Sequence, residues 1–235
     1  MIEHNNIMSS ENETDKDGNK DIKSIKEFGN LSVSKPNERI QIISIIGQVE
    51  GHNILGPQTK ATKYEHIIPQ LIEIEQNDNV KGILIVLNTV GGDVEAGLAI
   101  AEMIASISKP TVTLVLGGSH SIGVPIAVSG DYSFIVPTGT MVIHPVRTNG
   151  MVIGVSQTFE YFKQIQDRIL SFVCSHCDIP KTRLEELMLE TEFLTKDVGS
   201  VLVGKQAVKE GIINEVGGIK EAYDKLKQLV LKSRK

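Results

Sequence analysis

Three apolar runs, separated by segments with helical spacing, most constrain the fold of this chain. The runs are RIQIISIIG (39–47), VKGILIVLN (80–88) and TVTLVL (111–116), each of strand length and rich in β-branched residues. Residues 65–77 and 93–107 lie between them and repeat apolar residues at helical spacing. Strands that are apolar on both faces and alternate with helices are typical of a parallel sheet covered on both sides. The sequence therefore predicts an α/β fold with a mostly parallel sheet and flanking helices.

Local signals indicate where these elements begin and end. Asp93 is positioned to cap the helix over 93–107. Pro69 indicates that the preceding helix begins there, because proline favours the first helical turn. Further strands are predicted at 132–136 and 140–146, and further helices at the start of SIGVPIAVSG (121–130), at 155–177, 180–190 and 204–211, and from Ile219.

The first 37 residues differ in composition from the rest of the chain. They are rich in Asn, Asp, Glu, Ser and Lys and lack periodic apolar positions. Such a segment buries too little apolar surface to offset the entropy of ordering, so residues 1–37 are predicted to be a disordered tail. The chain has 235 residues, 40% of them hydrophobic, and the remainder suffices for one domain over 38–235.

Charge and hydropathy exclude several partners and locations. The net charge of −5 argues against nucleic acid or an acidic membrane surface as the main partner. No apolar run approaches the ~20 residues that cross a bilayer, and the first residues lack the charged and apolar regions of a secretory signal. We therefore expect a cytoplasmic protein with no membrane span and no nucleic-acid partner.

The CSHC sequence at 174–177 looks like half of a metal site. Zinc would need two further ligands at matching spacing, and the sequence has no second CxxC and no HxxxH. Cys174 and Cys177 are therefore expected to be reduced thiols near a helix end. No metal and no cofactor is predicted.

Glycine-rich turns follow the second and third apolar strands, at NTVGGD (88–93) and LGGSHSIG (116–123). In parallel sheets the active site lies beyond the carboxyl ends of the strands. The sequence around Ser121 has the form of the nucleophile elbow G-x-S-x-G, with serine in place of the first glycine. Ser119 lacks the following glycine, and His120 cannot easily serve the serine because adjacent side chains diverge. The alternative is that Ser121 only caps a helix.

Two further segments would complete a site for acyl transfer. Gly91 and Gly92 have no side chain, so a backbone N–H could approach a ligand closely there. Together with the N–H of Ile122 it could form an oxyanion hole. His144, at the end of an apolar strand and before a proline, suits a general base, although a lone histidine can equally be structural.

The chain contains five motifs in this order: GQVE (47–50), NTVGGDVEAGLAIAEMI (88–104), GSHSIGVPIAVSG (118–130), MVIHP (141–145) and GKQAVKEGIINEVGG (204–218). Together they resemble the proteolytic subunit of the Clp protease, a family of serine peptidases. The similarity covers about Ile40 to Val230, and within the family the chain looks closest to the translocation-enhancing, germination-linked relatives of spore-forming bacteria. The resemblance implies a crotonase-like fold and a Ser-His-Asp peptidase.

The resemblance also assigns roles to residues. It implies Ser121 as nucleophile, His144 as base, and Gly92 and Ile122 as the oxyanion-hole positions, so that Ser119 and His120 only support the turn.

The third member of the catalytic set would be an aspartate, which fixes the imidazole tautomer and stabilises the imidazolium. Asp197 in TKD matches this position, after a slightly longer interval than the family shows, and Glu192 is the alternative.

Three segments depart from the family pattern. The polar tail replaces the loop region through which Clp peptidases engage ATP-driven unfoldases, GPQTKATKYEH (56–66) is an extra polar segment, and PVRTNGMVIG (145–154) lacks the usual QPxGG wording. In relatives this last segment pairs between subunits and binds the substrate backbone by strand addition. An ATP-dependent unfoldase partner and the stacking of two rings therefore stay open.

The remaining partners follow from the resemblance and from one helix. Substrates would be peptides or unfolded proteins. The helix at 155–177 concentrates aromatic residues on an apolar face, which is typical of a subunit interface. We therefore expect a homo-oligomeric ring, heptameric by resemblance.

Three other functions compete with an active Clp-like peptidase. A signal-peptide peptidase relative would use a Ser-Lys dyad and a membrane anchor. A crotonase-type acyl-CoA enzyme would need backbone amides but not Ser121 and His144 together. A catalytically silent scaffold subunit would keep the triad in a misaligned state.

Overall fold

The computed structural model describes residues 39–147, 154–191 and 198–233, and a mostly parallel sheet forms the core of this part of the chain. Six of its eight strands follow one path in the order β2-β1-β3-β4-β5-β8, and every pair along that path is parallel. A short second ladder joins β6 in parallel to β4 and antiparallel to β7. The strands are β1 (Ile40–Glu50), β2 (Ala61–Lys63), β3 (Gly82–Gly92), β4 (Thr111–Ser119), β5 (Tyr132–Ile135), β6 (Thr140–Ile143), β7 (Ser200–Val203) and β8 (Glu215–Val216).

Seven helices among the described residues connect and cover these strands. Asp93 Oδ1 accepts the N–H of Ala96 at 2.8 Å, so the predicted cap of the second helix is confirmed. The α/β class with a mostly parallel sheet is confirmed as well. The helices are α1 (Tyr64–Gln76), α2 (Val94–Ser106), α3 (Gly123–Val128), α4 (Val155–His176), α5 (Lys181–Leu189), α6 (Lys205–Lys209) and α7 (Ile219–Lys232).

The first helix begins earlier than the sequence predicts. It starts at Tyr64, so Pro69 lies inside α1 rather than at its first turn. Proline cannot donate the backbone hydrogen bond of an interior position. The helix continues through it because its buried side chains, Ile67, Leu71 and Ile74, lie on both sides of the proline and pack into the core. Tertiary packing here outweighs the local preference.

The sheet is covered differently on its two faces. One face carries the main core, to which β1, β3, β4 and helices α1 to α5 contribute buried side chains such as Leu71, Ile100 and Ile126. On the other face α7 packs Ala222 and Leu226 against Phe134 and its neighbours. Both faces of the central strands are therefore buried, which explains their continuous apolar sequences.

None of the helices within the described ranges has the length and apolar character needed to cross a membrane. The predicted disordered tail, residues 1–37, lies outside the described residues, and the boundary of the domain at 38 stays a prediction.

Candidate active site

Ser121 lies in the tight turn between β4 and α3. Its φ of 56° makes it the one non-glycine residue with positive φ in the described part of the chain. Such a backbone is costly for a residue with a side chain and persists only where neighbouring contacts hold it. Here the Ser121 N–H donates to the carbonyl of Val142 at 2.8 Å. The Gly123 N–H donates to the carbonyl of His120 at 2.8 Å, which closes the turn.

The two polar neighbours of Ser121 bond to the turn itself. Ser119 is fully buried, and its hydroxyl donates to the carbonyl of Gly123 at 2.7 Å. His120 Nε2 and Thr140 Oγ1 share a hydrogen bond of 2.8 Å, which ties the turn to the start of β6. Ser119 and His120 therefore have structural partners, whereas the Ser121 hydroxyl makes no hydrogen bond to any described residue.

His144 follows β6, the strand that the Ser121 turn contacts. Its Nδ1 lies 2.7 Å from the carbonyl oxygen of Pro145. A carbonyl can only accept, so Nδ1 carries the hydrogen and Nε2 of the neutral ring is left as a proton acceptor. Ser121 and His144 line one cavity but do not hydrogen bond to each other, and such bonds often tighten only when substrate binds.

Two backbone segments beside Ser121 could stabilise an oxyanion. The N–H of Ile122 has no hydrogen-bond partner among the described residues. Gly92 lines the same cavity as Ile122, and Gly91 beside it has a φ of 85°. A Cβ at Gly91 would lie 2.6 Å from the carbonyl oxygen of His120, so only glycine lets the two turns approach this closely.

A cavity of about 160 Å³ opens beside Ser121. Its polar rim contains Ser121, His144 and Arg147, and its remaining wall is mainly aliphatic. The wall includes residues of α5 that the sequence does not place near the turn. The aliphatic lining residues are Val94, Ile122, Val124, Ile143, Val146, Ile169, Val173, Leu184 and Met188.

A family model for the Clp protease matches residues 36–220. The chain belongs to the Clp protease family. It is 56% identical to the translocation-enhancing protein TepA of Halalkalibacterium halodurans over 214 residues, which are 91% of this chain and 84% of that protein. This finding confirms the resemblance to the Clp protease family, and the mostly parallel α/β sheet agrees with that family's fold.

Clp protease proteolytic subunits match over a shorter stretch. The subunit of Leuconostoc citreum is 37% identical over 94 residues, or 39% of this chain and 46% of that protein. The subunit of Lactococcus lactis subsp. cremoris is 40% identical over 95 residues, or 39% of this chain and 47% of that protein. The match to these subunits thus covers less than half of their length.

The third member of the expected Clp catalytic set lies outside the description. Both Asp197 and Glu192 fall in residues 192–197, which the structure does not describe, so the choice between them stays a prediction.

Sequence reasoning missed Thr89 and Thr140, which bond to the turns around Ser121. The sequence signals these two residues only by their positions: each is a threonine in or beside a predicted strand, next to a glycine-rich or polar turn.

The two cysteines are free thiols at the end of α4. The Cys177 thiol donates to the carbonyl of Val173 at 3.0 Å, and burial raises its pKa to about 11. Burial also raises the pKa of Cys174. Both thiols are therefore protonated at neutral pH and poorly nucleophilic. No group of three or more His, Cys, Asp or Glu side chains suited to a metal ion occurs within the described ranges.

The pKa of His120 gives the region a testable pH dependence. Burial lowers this pKa, and the nearby His144 lowers it further. Just below pH 6.5, the ordinary pKa of histidine, His120 binds a proton in the unfolded chain but stays neutral in the folded chain. The contribution of His120 to stability is therefore full above that pH and is lost as the pH falls below it.

We expect wild type to lose more stability than His120→Gln between about pH 7.5 and about pH 5.5. Glutamine can keep a hydrogen bond to Thr140 but does not titrate. Urea denaturation of both proteins at the two pH values measures the difference. Equal losses would contradict the assigned direction of the shift.

Proposed function

We propose that this member of the Clp protease family is a serine endopeptidase with Ser121 as nucleophile and His144 as base. The observation that carries the proposal is the strained turn that holds an unbonded Ser121 hydroxyl in the cavity that His144 also lines. A serine that only capped a helix would instead bond to a backbone N–H of that helix, and α3 has no side-chain cap.

The proposed reaction uses the groups in sequence. Ser121 Oγ attacks the peptide carbonyl while His144 Nε2 takes the hydroxyl proton, and the backbone N–H groups of Gly92 and Ile122 bind the oxyanion. The imidazolium gives its proton to the leaving amine, the C–N bond breaks, and an acyl-enzyme remains. Water then attacks the acyl carbon with His144 as base, which releases the acid and restores the serine.

Asp197 is proposed to complete the triad, with Glu192 as the alternative. A carboxylate at Nδ1 would stabilise the imidazolium that forms during both steps. The carbonyl of Pro145 already holds Nδ1–H at 2.7 Å, so the carboxylate would share or replace this bond.

The cavity supports peptides with apolar side chains as substrates. Aliphatic residues form most of its wall beside Ser121, and burial of an apolar side chain there would favour binding. Peptides or unfolded proteins fit this wall better than small polar substrates. The cytoplasm is the proposed location. An ATP-dependent unfoldase is proposed as a partner from the family resemblance alone.

Assembly into a homo-oligomeric ring is supported by the first turns of α4. Val155, Phe159 and Tyr161 are 78%, 66% and 57% exposed, an unusual concentration in a chain with 4% aromatic residues. Exposed apolar surface of this kind is typical of subunit contacts. A ring would bury it and would enclose the peptidase sites in a chamber.

We expect a fluorophosphonate probe to label wild type and not Ser121→Ala, because the probe needs an activated serine. Ser119→Ala is the matched control, since it removes a neighbouring hydroxyl that bonds only within the turn. It should be labelled more slowly and should keep part of its peptide hydrolysis. Labelling is read by mass spectrometry of the active-site peptide. An unlabelled wild type would favour the acyl-CoA enzyme or the silent scaffold, and labelled Ser121→Ala would exclude this serine.

We expect Asp197→Asn to lower kcat by about 10²-fold or more, since asparagine cannot stabilise the imidazolium. Glu192→Gln is the matched control and should stay within about threefold of wild type. Steady-state kinetics with a fluorogenic peptide measure both. The opposite order of effects would assign the role to Glu192.

We expect light scattering at micromolar concentration to give several times the mass of one 25.7 kDa chain. Phe159→Glu should lower that mass, because it places a charge on the apolar surface of α4. Lys163→Glu reverses a charge on an exposed neighbouring position of the same helix and serves as control. A fully active wild type at the mass of one chain is incompatible with the ring.

A further inference from the structure

Thr89 is a buried polar residue of β3, two positions before Gly91 and 1% exposed. It lies where the β3–β4 ladder becomes irregular, opposite Ser119. The hydroxyl of Thr89 contacts β1 and the turn at Gly91 and Gly92 (the glycine turn), whereas its carbonyl and methyl group contact the turn around Ser121 (the serine turn).

The hydroxyl of Thr89 joins β1 to the glycine turn. It donates to the carbonyl of Gly47 at 2.6 Å and accepts the N–H of Gly91 at 3.1 Å. A hydroxyl has one hydrogen to donate, so these two bonds fix its orientation. Gly91 is thereby held in its left-handed conformation immediately before Gly92.

The carbonyl and the methyl group of Thr89 contact the serine turn instead. The carbonyl accepts the N–H of His120 at 3.1 Å. A Cβ added to Gly123 would lie only 2.8 Å from the methyl carbon of Thr89, so this methyl group packs against Gly123. Thr89 therefore contacts the chain on both sides of Ile122, whose N–H has no partner of its own among the described residues.

We propose that Thr89 is a positioning residue that sets the spacing between the backbone N–H groups of Gly92 and Ile122. The inference rests on the proposed function, in which these two groups bind the oxyanion. Such donors act only when they lie within about 3 Å of the developing charge, and small displacements lower the rate steeply. A single residue is suited to hold that distance when its hydroxyl bonds to Gly91 and its carbonyl and methyl group contact the serine turn.

The experiment compares two conservative variants of Thr89. Thr89→Val keeps the shape and removes the hydroxyl, whereas Thr89→Ser keeps the hydroxyl and removes the methyl group. The control is Thr113→Val, because Thr113 is fully buried in β4 of the same sheet and its hydroxyl donates to the carbonyl of Ala127 in α3 rather than to either turn. The measurements are the rate constant of fluorophosphonate labelling, kcat and KM for a fluorogenic peptide, and the melting temperature.

We expect Thr89→Val to lower the labelling rate and kcat by about tenfold to a hundredfold with KM nearly unchanged, since the oxyanion forms after substrate binds. Thr89→Ser should stay within about threefold of wild type. Thr113→Val should lose a similar amount of thermal stability and keep its labelling rate. If Thr89→Val does not fold, Thr89→Ala and Thr89→Ser are compared instead, because they differ only in the hydroxyl.

Each outcome decides between the two proposals. Labelled wild type with equal rates for Thr89→Val and Thr113→Val would overturn the role of Thr89 and leave the peptidase standing. A rise in KM with unchanged kcat would assign Thr89 to substrate binding and would also overturn the inference. Wild type without labelling at Ser121 would overturn the peptidase and the positioning role with it.

Discussion

The parallel pairing of β3 with β4 is the constraint on which the candidate site depends. Parallel neighbours end at the same edge of a sheet, so the glycine turn after β3 and the serine turn after β4 lie side by side. The ladder is regular from Ile83 to Leu87 and resumes with Thr89 opposite Ser119. Beyond that irregularity the strands leave regular pairing, and the contacts between the two turns replace it.

Close packing of backbone then fixes the position of the serine turn. A Cβ at Gly97 in α2 would lie 2.3 Å from the Ile122 side chain, which is itself 1% exposed. A Cβ at Gly91 would meet the carbonyl of His120. Helix α2 and the glycine turn therefore approach the turn from two sides, and the Val142 carbonyl holds it from a third. A positive φ at Ser121 is tolerated because these contacts leave no room for relaxation.

Much of this arrangement could be predicted because it depends on local sequence. The periodicity of the apolar runs predicts the sheet, and the spacing around Ser121 predicts the turn. The bond from Thr89 to Gly47 joins residues 42 apart, and the paired bonds from Arg168 to Glu95 join residues 73 apart. Such contacts depend on strand register and helix packing, which one sequence does not determine. The start of α1 before Pro69 was mispredicted for the same reason, since its cause is tertiary.

The backbone beside His144 determines which of its two ring nitrogens carries the hydrogen. Because Nδ1–H donates to the carbonyl of Pro145, the tautomer with a free Nε2 is favoured even without a carboxylate at Nδ1. A neutral carbonyl stabilises an imidazolium less than a carboxylate does, so the proposed Asp197 would contribute mainly once His144 is protonated. Burial keeps the pKa of His120 low, so this second imidazole stays neutral and does not oppose that charge. At neutral pH His120 therefore adds no competing positive charge beside His144.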